Sequence, residues 1–140
     1  MGMGFSGRCL CGSVTYECAA APIVMGNCHC LDCQRVTGSG FAAGILVPRS
    51  AVTVRGEVRY YDCIAESGHV ISRGFCPVCG SRLFGKGDAA PERMSITAGS
   101  LDDPTVFRPQ ADIYTSSAQS WVNMNPRLPK FPKMPPMPRR

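Results

Sequence analysis

The chain has 140 residues, of which 44% are hydrophobic and 18% are charged, as expected for one soluble globular domain. No apolar run approaches the roughly 18 residues that a membrane-spanning helix needs, and the first residues lack the basic and apolar regions of an export signal. No membrane association is expected, and the sequence predicts a cytoplasmic protein.

The formal charge of +5 has to be corrected for the cysteines. If seven thiolates bind two divalent zinc ions, the charge falls by seven and rises by four, to about +2. A nearly neutral protein lacks the basic surface typical of nucleic-acid binding. No nucleic-acid partner is therefore expected.

Short β-prone segments separated by Gly, Pro and Ser make up most of the chain. The sequence predicts a strand or hairpin over 5–18, a metal loop and short helical turn over 28–38 that stops at Gly38, and strands within 41–47, 51–55, 58–61, 69–75, 81–84, 94–98 and 112–114. No stretch of ten or more residues has a helical period. The fold class is therefore mainly β.

The domain organisation predicted from composition is one zinc-binding domain followed by a tail. The domain covers residues 1–125, and the tail covers residues 126–140, which are basic and rich in proline. Proline cannot pair within a sheet interior. The tail is expected to lie extended over the surface or to be disordered in part.

Nine cysteines in a chain without an export signal favour metal binding. The cytoplasm keeps thiols reduced, and an odd number of cysteines cannot all form disulfides. Seven of them fall into three groups: Cys9-x-Cys11-Gly12, Cys28-x-Cys30-x-x-Cys33 and Cys76-Pro77-Val78-Cys79-Gly80.

The first and third groups are predicted to form one closed zinc site. Each is a tight turn whose glycine permits a positive φ and so aims backbone N–H groups at the sulfurs. Zinc takes four ligands in a tetrahedron, so each pair needs the other. We call Cys9, Cys11, Cys76 and Cys79 the four-cysteine cluster. It would join parts of the chain that are far apart, as a structural site does.

The middle group, Cys28, Cys30 and Cys33, is the three-cysteine cluster. Three protein ligands and one exchangeable position are typical of catalytic zinc, so an open site is favoured. Two alternatives stay open. A fourth ligand could come from Cys18, Cys63, His29 or His69, although the His29 ring is expected to point away from the metal. An iron–sulfur cluster is also compatible with the spacing.

An open zinc site with three thiolates has a definite chemistry. Three thiolates leave zinc a poor Lewis acid for water and favour a soft fourth ligand, namely another thiol. Zinc lowers the pKa of that thiol and holds it as a nucleophilic thiolate. The predicted reaction is attack of a small thiol on an electrophile, or the reverse cleavage of a carbon–sulfur bond.

Four segments, GRCLCGSVTYEC, NCHCLDCQRVTGSGF, RGFCPVCGSRLF and AGSLDDPTVFRPQADIY, resemble the glutathione-dependent formaldehyde-activating enzyme family, which includes domains related to centromere protein V. The resemblance runs from Gly7 to Trp121. It implies a β-tent-like fold of small antiparallel sheets around a structural zinc. It also implies two zinc ions, with the four-cysteine cluster structural and the three-cysteine cluster catalytic.

The resemblance implies an activity as well. Glutathione would add to formaldehyde to give S-(hydroxymethyl)glutathione, which makes the protein a carbon–sulfur lyase in the reverse sense. Gln34 and Arg35 follow the last catalytic cysteine and are candidate contacts for the glutathione carboxylates, since arginine pairs well with carboxylates; a solvated helix face is the alternative. The competing functions are a zinc-stabilised binding module, which needs a fourth protein ligand at the second metal, and a redox sensor.

Three further residues are singled out by position. Arg73 and Arg82 flank the CPVCG turn and either offset the negative charge of the metal thiolates or face solvent. Trp121 is the single tryptophan. It is interpreted as an anchor of the C-terminal segment rather than as a substrate platform.

Overall fold

The computed structural model describes residues 4–136. In chain order the elements are β1 (Phe5–Arg8), β2 (Thr15–Cys18), β3 (Val24–Cys28), α1 (Leu31–Thr37), β4 (Ala42–Pro48), β5 (Val52–Arg55), β6 (Arg59–Ile64), β7 (Val70–Phe75), β8 (Arg82–Gly87), β9 (Arg93–Thr97) and β10 (Asp112–Ile113). Within this range no helix has the length and apolar character needed to cross a membrane.

Two sheets contain all the strands of the described residues. The small sheet has the order β1-β2-β5, and the large sheet has the order β10-β3-β4-β9-β8-β7-β6. Neighbouring strands are antiparallel except β10 and β3, which are parallel. The predicted mainly β class is confirmed, and so is the hairpin around the first cysteine turn.

The core joins the two sheets. Tyr16 of β2 is 2% exposed, and its ring meets Phe84 of β8 edge-on, with centroids 5.5 Å apart. Its hydroxyl is satisfied by the Ser100 hydroxyl at 2.7 Å, as a buried phenol requires. Cys9 and Cys76 belong to the same buried cluster, so the four-cysteine cluster lies against the core.

Strand β3 was not predicted, and Cys28 therefore lies on a strand rather than in a loop. Gly26 and Asn27 within it disfavour strand structure when considered alone. Pairing on both sides stabilises the strand, since β4 runs antiparallel to it and β10 parallel. The short helix that follows is confirmed as α1. It ends at Gly38 in the left-handed conformation with φ of 69°, which glycine adopts without steric cost.

Part of the proline-rich tail lies along β10. The Asp112 N–H donates to the carbonyl of Pro129 at 3.0 Å, and the Phe131 N–H donates to the carbonyl of Asp112 at 2.9 Å. Proline supplies an acceptor but no donor, so it is suited to this outermost position of the sheet. This part of the tail is extended on the surface; residues 137–140 lie outside the described range, and the boundary at residue 125 stays a prediction.

Candidate metal centre

The four-cysteine cluster is assembled from two turns far apart in the sequence. Its four sulfurs lie within 4.8 Å of one another. Between the two turns, Sγ of Cys11 lies 3.8 Å from Sγ of Cys76. Gly12 and Gly80 have φ of 81° and 80°, so both turns use the positive φ that the sequence predicts. All nine cysteines of the chain lie in the described range and are free of disulfides.

Hydrogen-bond donors surround these sulfurs. The Val14 N–H lies 3.3 Å from Cys9 Sγ, and the Val78 N–H lies 3.4 Å from Cys76 Sγ. Burial raises the pKa of the Cys9 thiol, but its hydrogen bonds outweigh burial and the net pKa is lowered. Donors that favour the thiolate prepare the sulfurs to bind a metal.

Two serines take part in this environment and were missed from the sequence. The Ser13 hydroxyl is 3.1 Å from Cys11 Sγ and 3.2 Å from Cys76 Sγ. The Ser81 hydroxyl is 3.1 Å from Cys79 Sγ and is the largest of several hydrogen-bond contributions that lower the pKa of that thiol to about 5. The signal was present, since both cysteine turns end in the same tripeptide, Cys-Gly-Ser.

The three-cysteine cluster lies where β3 passes into α1. Cys28 ends β3, Cys30 is the N-cap of α1, and Cys33 is in the first turn of α1. The Cys30 sulfur accepts the Cys33 N–H at 3.3 Å, so an unpaired donor of the helix N-terminus is satisfied by a ligand atom. The three sulfurs lie within 4.8 Å of one another and each residue is partly buried.

No fourth protein ligand joins this cluster within residues 4–136. Cys18 is buried in the small sheet, and Cys63 on β6 contacts an arginine instead. The His69 Nδ1 faces Asp88 at 3.1 Å on an exposed turn. Within residues 4–136 the cluster therefore consists of three sulfurs, and the open position on a bound metal stays a prediction.

His29 lies between two of the cysteines but turns away from them, as predicted. Its ring is 1% exposed, and Nε2 lies 2.9 Å from Oδ1 of Asp112. The ring also packs against Phe41 with centroids 5.3 Å apart. Burial raises the pKa of Asp112, but its hydrogen bonds, with His29 the largest, lower it overall. The histidine therefore fixes the loop between the two sulfurs rather than the metal itself.

Two arginines lie beside the three-cysteine cluster. Arg73 is 8% exposed, its Nε donates to Cys63 Sγ at 3.3 Å, and its Nη2 is 4.0 Å from the Asp32 carboxylate. Burial lowers the pKa of Arg73, but Cys63 and Cys33 raise it overall. Burial lowers the pKa of Arg82, and repulsion from the nearby charge of Arg73 lowers it further. Of the two interpretations, the one that offsets thiolate charge fits this placement.

The thiols share their charge unevenly. Hydrogen bonds with Cys28 and Cys33 lower the pKa of Cys30, whereas hydrogen bonds with Cys30 and Cys33 raise the pKa of Cys28. One thiolate is thus stabilised by two neighbouring thiols. A set of three soft sulfur donors suits a thiophilic divalent metal, so both clusters could hold a metal ion.

The family model described as "Glutathione-dependent formaldehyde-activating enzyme" matches residues 4–117. This range contains all seven cysteines of the two clusters. The chain belongs to the glutathione-dependent formaldehyde-activating enzyme family. A crystal structure of a Rhodobacter sphaeroides protein has a similar fold, with a TM-score of 0.56 and 19% identity over 90% of this chain and 98% of that chain.

In this family member the two residues predicted to contact glutathione have different surroundings. The Gln34 amide nitrogen donates to the carbonyls of His29 at 2.8 Å and Ser117 at 3.0 Å, and its oxygen accepts from Gln119 at 2.9 Å. This amide is committed to holding the metal loop against the C-terminal segment. Arg35 is exposed. Their contact with glutathione stays a prediction.

Trp121 contacts the loop that follows α1. A Cβ placed on the buried Gly40 would lie 3.2 Å from the Trp121 ring, so the ring edge packs closely on that backbone. The rest of the side chain is exposed, at 69%. This contact supports the interpretation as an anchor and limits it to one edge of the ring.

Proposed function

We propose that the protein is a zinc-dependent enzyme of the carbon–sulfur lyase type. It activates glutathione, or a similar small thiol, at the three-cysteine cluster for addition to formaldehyde or a related electrophile. The observation that carries the proposal is a cluster of three sulfurs with no fourth protein ligand in residues 4–136, beside the buried guanidinium of Arg73. The alternative of a binding module predicts a fourth ligand there.

The donor sets support two zinc ions with different roles. Four sulfurs complete the tetrahedral shell of a structural zinc, so the four-cysteine cluster has no position left for a substrate. The three-cysteine cluster leaves one position. Zinc bound there supplies a site where an incoming thiol ionises near neutral pH.

The reaction is an addition of S–H across a carbonyl group. The thiol loses its proton, its sulfur forms a bond to the carbonyl carbon, and the carbonyl oxygen takes up a proton. Three thiolates and one divalent zinc ion would carry one net negative charge, and a bound substrate thiolate would add a second. Arg73 offsets that charge, since it faces Cys33 and Cys63 from a largely buried position; such a charge acts more strongly where water is excluded.

The chain's own residues also keep the three sulfurs in place. Cys30 is held by the Cys33 N–H, and the loop before it is held by His29 and Asp112. Preorganised ligands lose little freedom when the substrate arrives. The proposal places the protein in the cytoplasm, where thiols stay reduced, with a small thiol as its partner and with neither nucleic acid nor membrane involved.

The test is catalysis of thiol addition above the spontaneous rate. Exchange between free formaldehyde and its glutathione adduct can be followed by NMR with carbon-13 formaldehyde, with and without the zinc-loaded protein. We expect acceleration by the wild type and by Cys18→Ser, a matched control in the small sheet outside both clusters. Cys30→Ser should return the exchange to the spontaneous rate. Equal rates for the wild type and Cys30→Ser would overturn the proposal.

A further inference from the structure

The C-terminal segment contacts the residue that supports the metal loop. We call residues 125–133 the strap. Nζ of Lys130 lies 3.0 Å from Oδ2 of Asp112, which is 1% exposed, whereas the Lys130 side chain is 33% exposed. The same Nζ donates to the backbone carbonyls of Asn125 and Leu128. Lys130 is therefore fixed by the strap itself and presents its charge to a buried carboxylate.

The other oxygen of that carboxylate contacts two residues next to Cys28. Oδ1 of Asp112 is 2.9 Å from Nε2 of His29 and accepts from Nδ2 of Asn27 at 3.3 Å. These two residues flank Cys28 on either side. The His29 N–H also donates to the Ile113 carbonyl at 3.0 Å, so the chain around Cys28 is held through both side chain and backbone.

The strap also forms hydrogen bonds with the backbone of Asp112. The Asp112 N–H and carbonyl bond to Pro129 and Phe131 respectively, which places Lys130 directly opposite Asp112. The strap begins after the residues that the family model matches, which end at 117. The support for the metal loop thus includes a segment outside the matched region.

We infer that Lys130 is a positioning residue for the three-cysteine cluster: it holds the Asp112 carboxylate, which orients His29 and so fixes Cys28 and Cys30 for metal binding. The inference rests on the proposed zinc site but not on its catalysis. Replacing residues that are not ligands themselves but orient the ligands by hydrogen bonds typically weakens metal affinity about 10- to 100-fold. The same range is expected here, confined to one of the two metal sites.

Zinc release from the full-length, zinc-loaded protein tests this directly. A chromogenic chelator should remove zinc in two phases, and loss of the faster phase in Cys30→Ser assigns that phase to the three-cysteine cluster. In Lys130→Met we expect the faster phase to accelerate about 10-fold and the slower phase to stay unchanged. Lys130→Arg should restore most of the wild-type rate.

Lys133→Met is the matched control, because Lys133 pairs with the exposed Glu66 at 2.7 Å. It should release zinc as the wild type does. The inference is overturned if Lys130→Met releases zinc at the wild-type rate. It is also overturned if both phases accelerate in parallel, since Lys130 would then contribute only to general stability.

Amide hydrogen exchange supplies a readout that needs no second zinc. In Lys130→Met the His29 N–H should exchange faster, while the Val14 N–H, which points at Cys9 in the other cluster, should not change. If the wild type binds a single zinc, the proposed function fails, and the His29 exchange rate decides the role of Lys130. Unchanged exchange at His29 would overturn that role.

Discussion

Nε2 of His29 and Oδ1 of Asp112 lie 2.9 Å apart, and both side chains are 1% exposed. The pair joins the loop between Cys28 and Cys30 to the short strand β10, more than eighty residues later in the chain. A buried carboxylate needs its partners, because an unpaired buried charge is costly. The pair is thus part of the fold and also sets the geometry of the metal loop.

Asp112→Asn should lower the free energy of unfolding by about 3 kcal/mol, because it removes the negative charge of the carboxylate that both Lys130 and His29 contact. Urea unfolding of the zinc-loaded protein measures this. The control is Asp88→Asn, which removes the partner of His69 at a similar distance of 3.1 Å but in an exposed position; it should cost less than about 1 kcal/mol. Equal losses in the two variants would contradict a special role for the buried pair.

Arg73→Met should weaken thiol binding at the three-cysteine cluster. The variant removes a largely buried positive charge that faces Cys33 and Cys63, so the negative charge brought by the substrate is no longer offset. We expect the half-saturating glutathione concentration to rise roughly tenfold, which corresponds to about 1.4 kcal/mol. Arg73→Lys should lose less, and Arg59→Met, in an exposed pair with Glu57, should lose nothing. An unchanged half-saturating glutathione concentration in Arg73→Met would show that Arg73 does not contribute to thiol binding.

The two clusters should respond differently to loss of one cysteine. Cys76 is fully buried in the core, and its cluster joins turns far apart in the chain. Cys76→Ser should therefore be unfolded at room temperature and show no cooperative thermal transition, since metal binding and folding are coupled at structural sites. Cys30→Ser should retain a cooperative transition. Circular dichroism during thermal unfolding distinguishes them, and identical behaviour of the two variants would show that the clusters do not have separate roles.

Tyr16 provides a pH-dependent test of core packing. Burial raises the pKa of its phenol to about 12, against an ordinary value of 10.0. The folded pKa is the higher one, so its contribution to stability is complete below pH 10 and is lost as the pH rises towards 12. Burial also raises the pKa of Tyr114, but spectrophotometric titration should show one tyrosine that ionises near pH 12 and disappears in Tyr16→Phe. Ionisation of all tyrosines near pH 10 in the folded protein would contradict the packing described.

The grouping of the cysteines into two clusters was predictable because ligand spacing is a local property. Cys-x-Cys-Gly and Cys-x-x-Cys-Gly each form a turn, and each turn supplies only two of the four ligands that zinc takes. The helix stop at Gly38 was equally local. The positions of Ser13 and Ser81 beside the sulfurs were also encoded locally, in the repeated Cys-Gly-Ser.

What could not be predicted depends on contacts between distant segments. Strand β3 contains Gly26 and Asn27, and only pairing with β4 and β10 makes it a strand. The link from Lys130 through Asp112 to His29 joins three segments of the chain. No local propensity or spacing rule indicates such a link, because each residue alone is an ordinary polar side chain.

The proposed function requires one metal that is closed by four protein sulfurs and a second metal that keeps a position for a substrate thiol. Cadmium-113 NMR of the cadmium-substituted protein tests it most directly, because each metal gives its own resonance. We expect two resonances in the wild type, one of which is lost in Cys30→Ser. Addition of glutathione to the wild type should shift that same resonance and leave the other in place. If glutathione shifts neither resonance, or if both resonances remain in Cys30→Ser, the three-cysteine cluster does not hold a metal with a position for a substrate thiol.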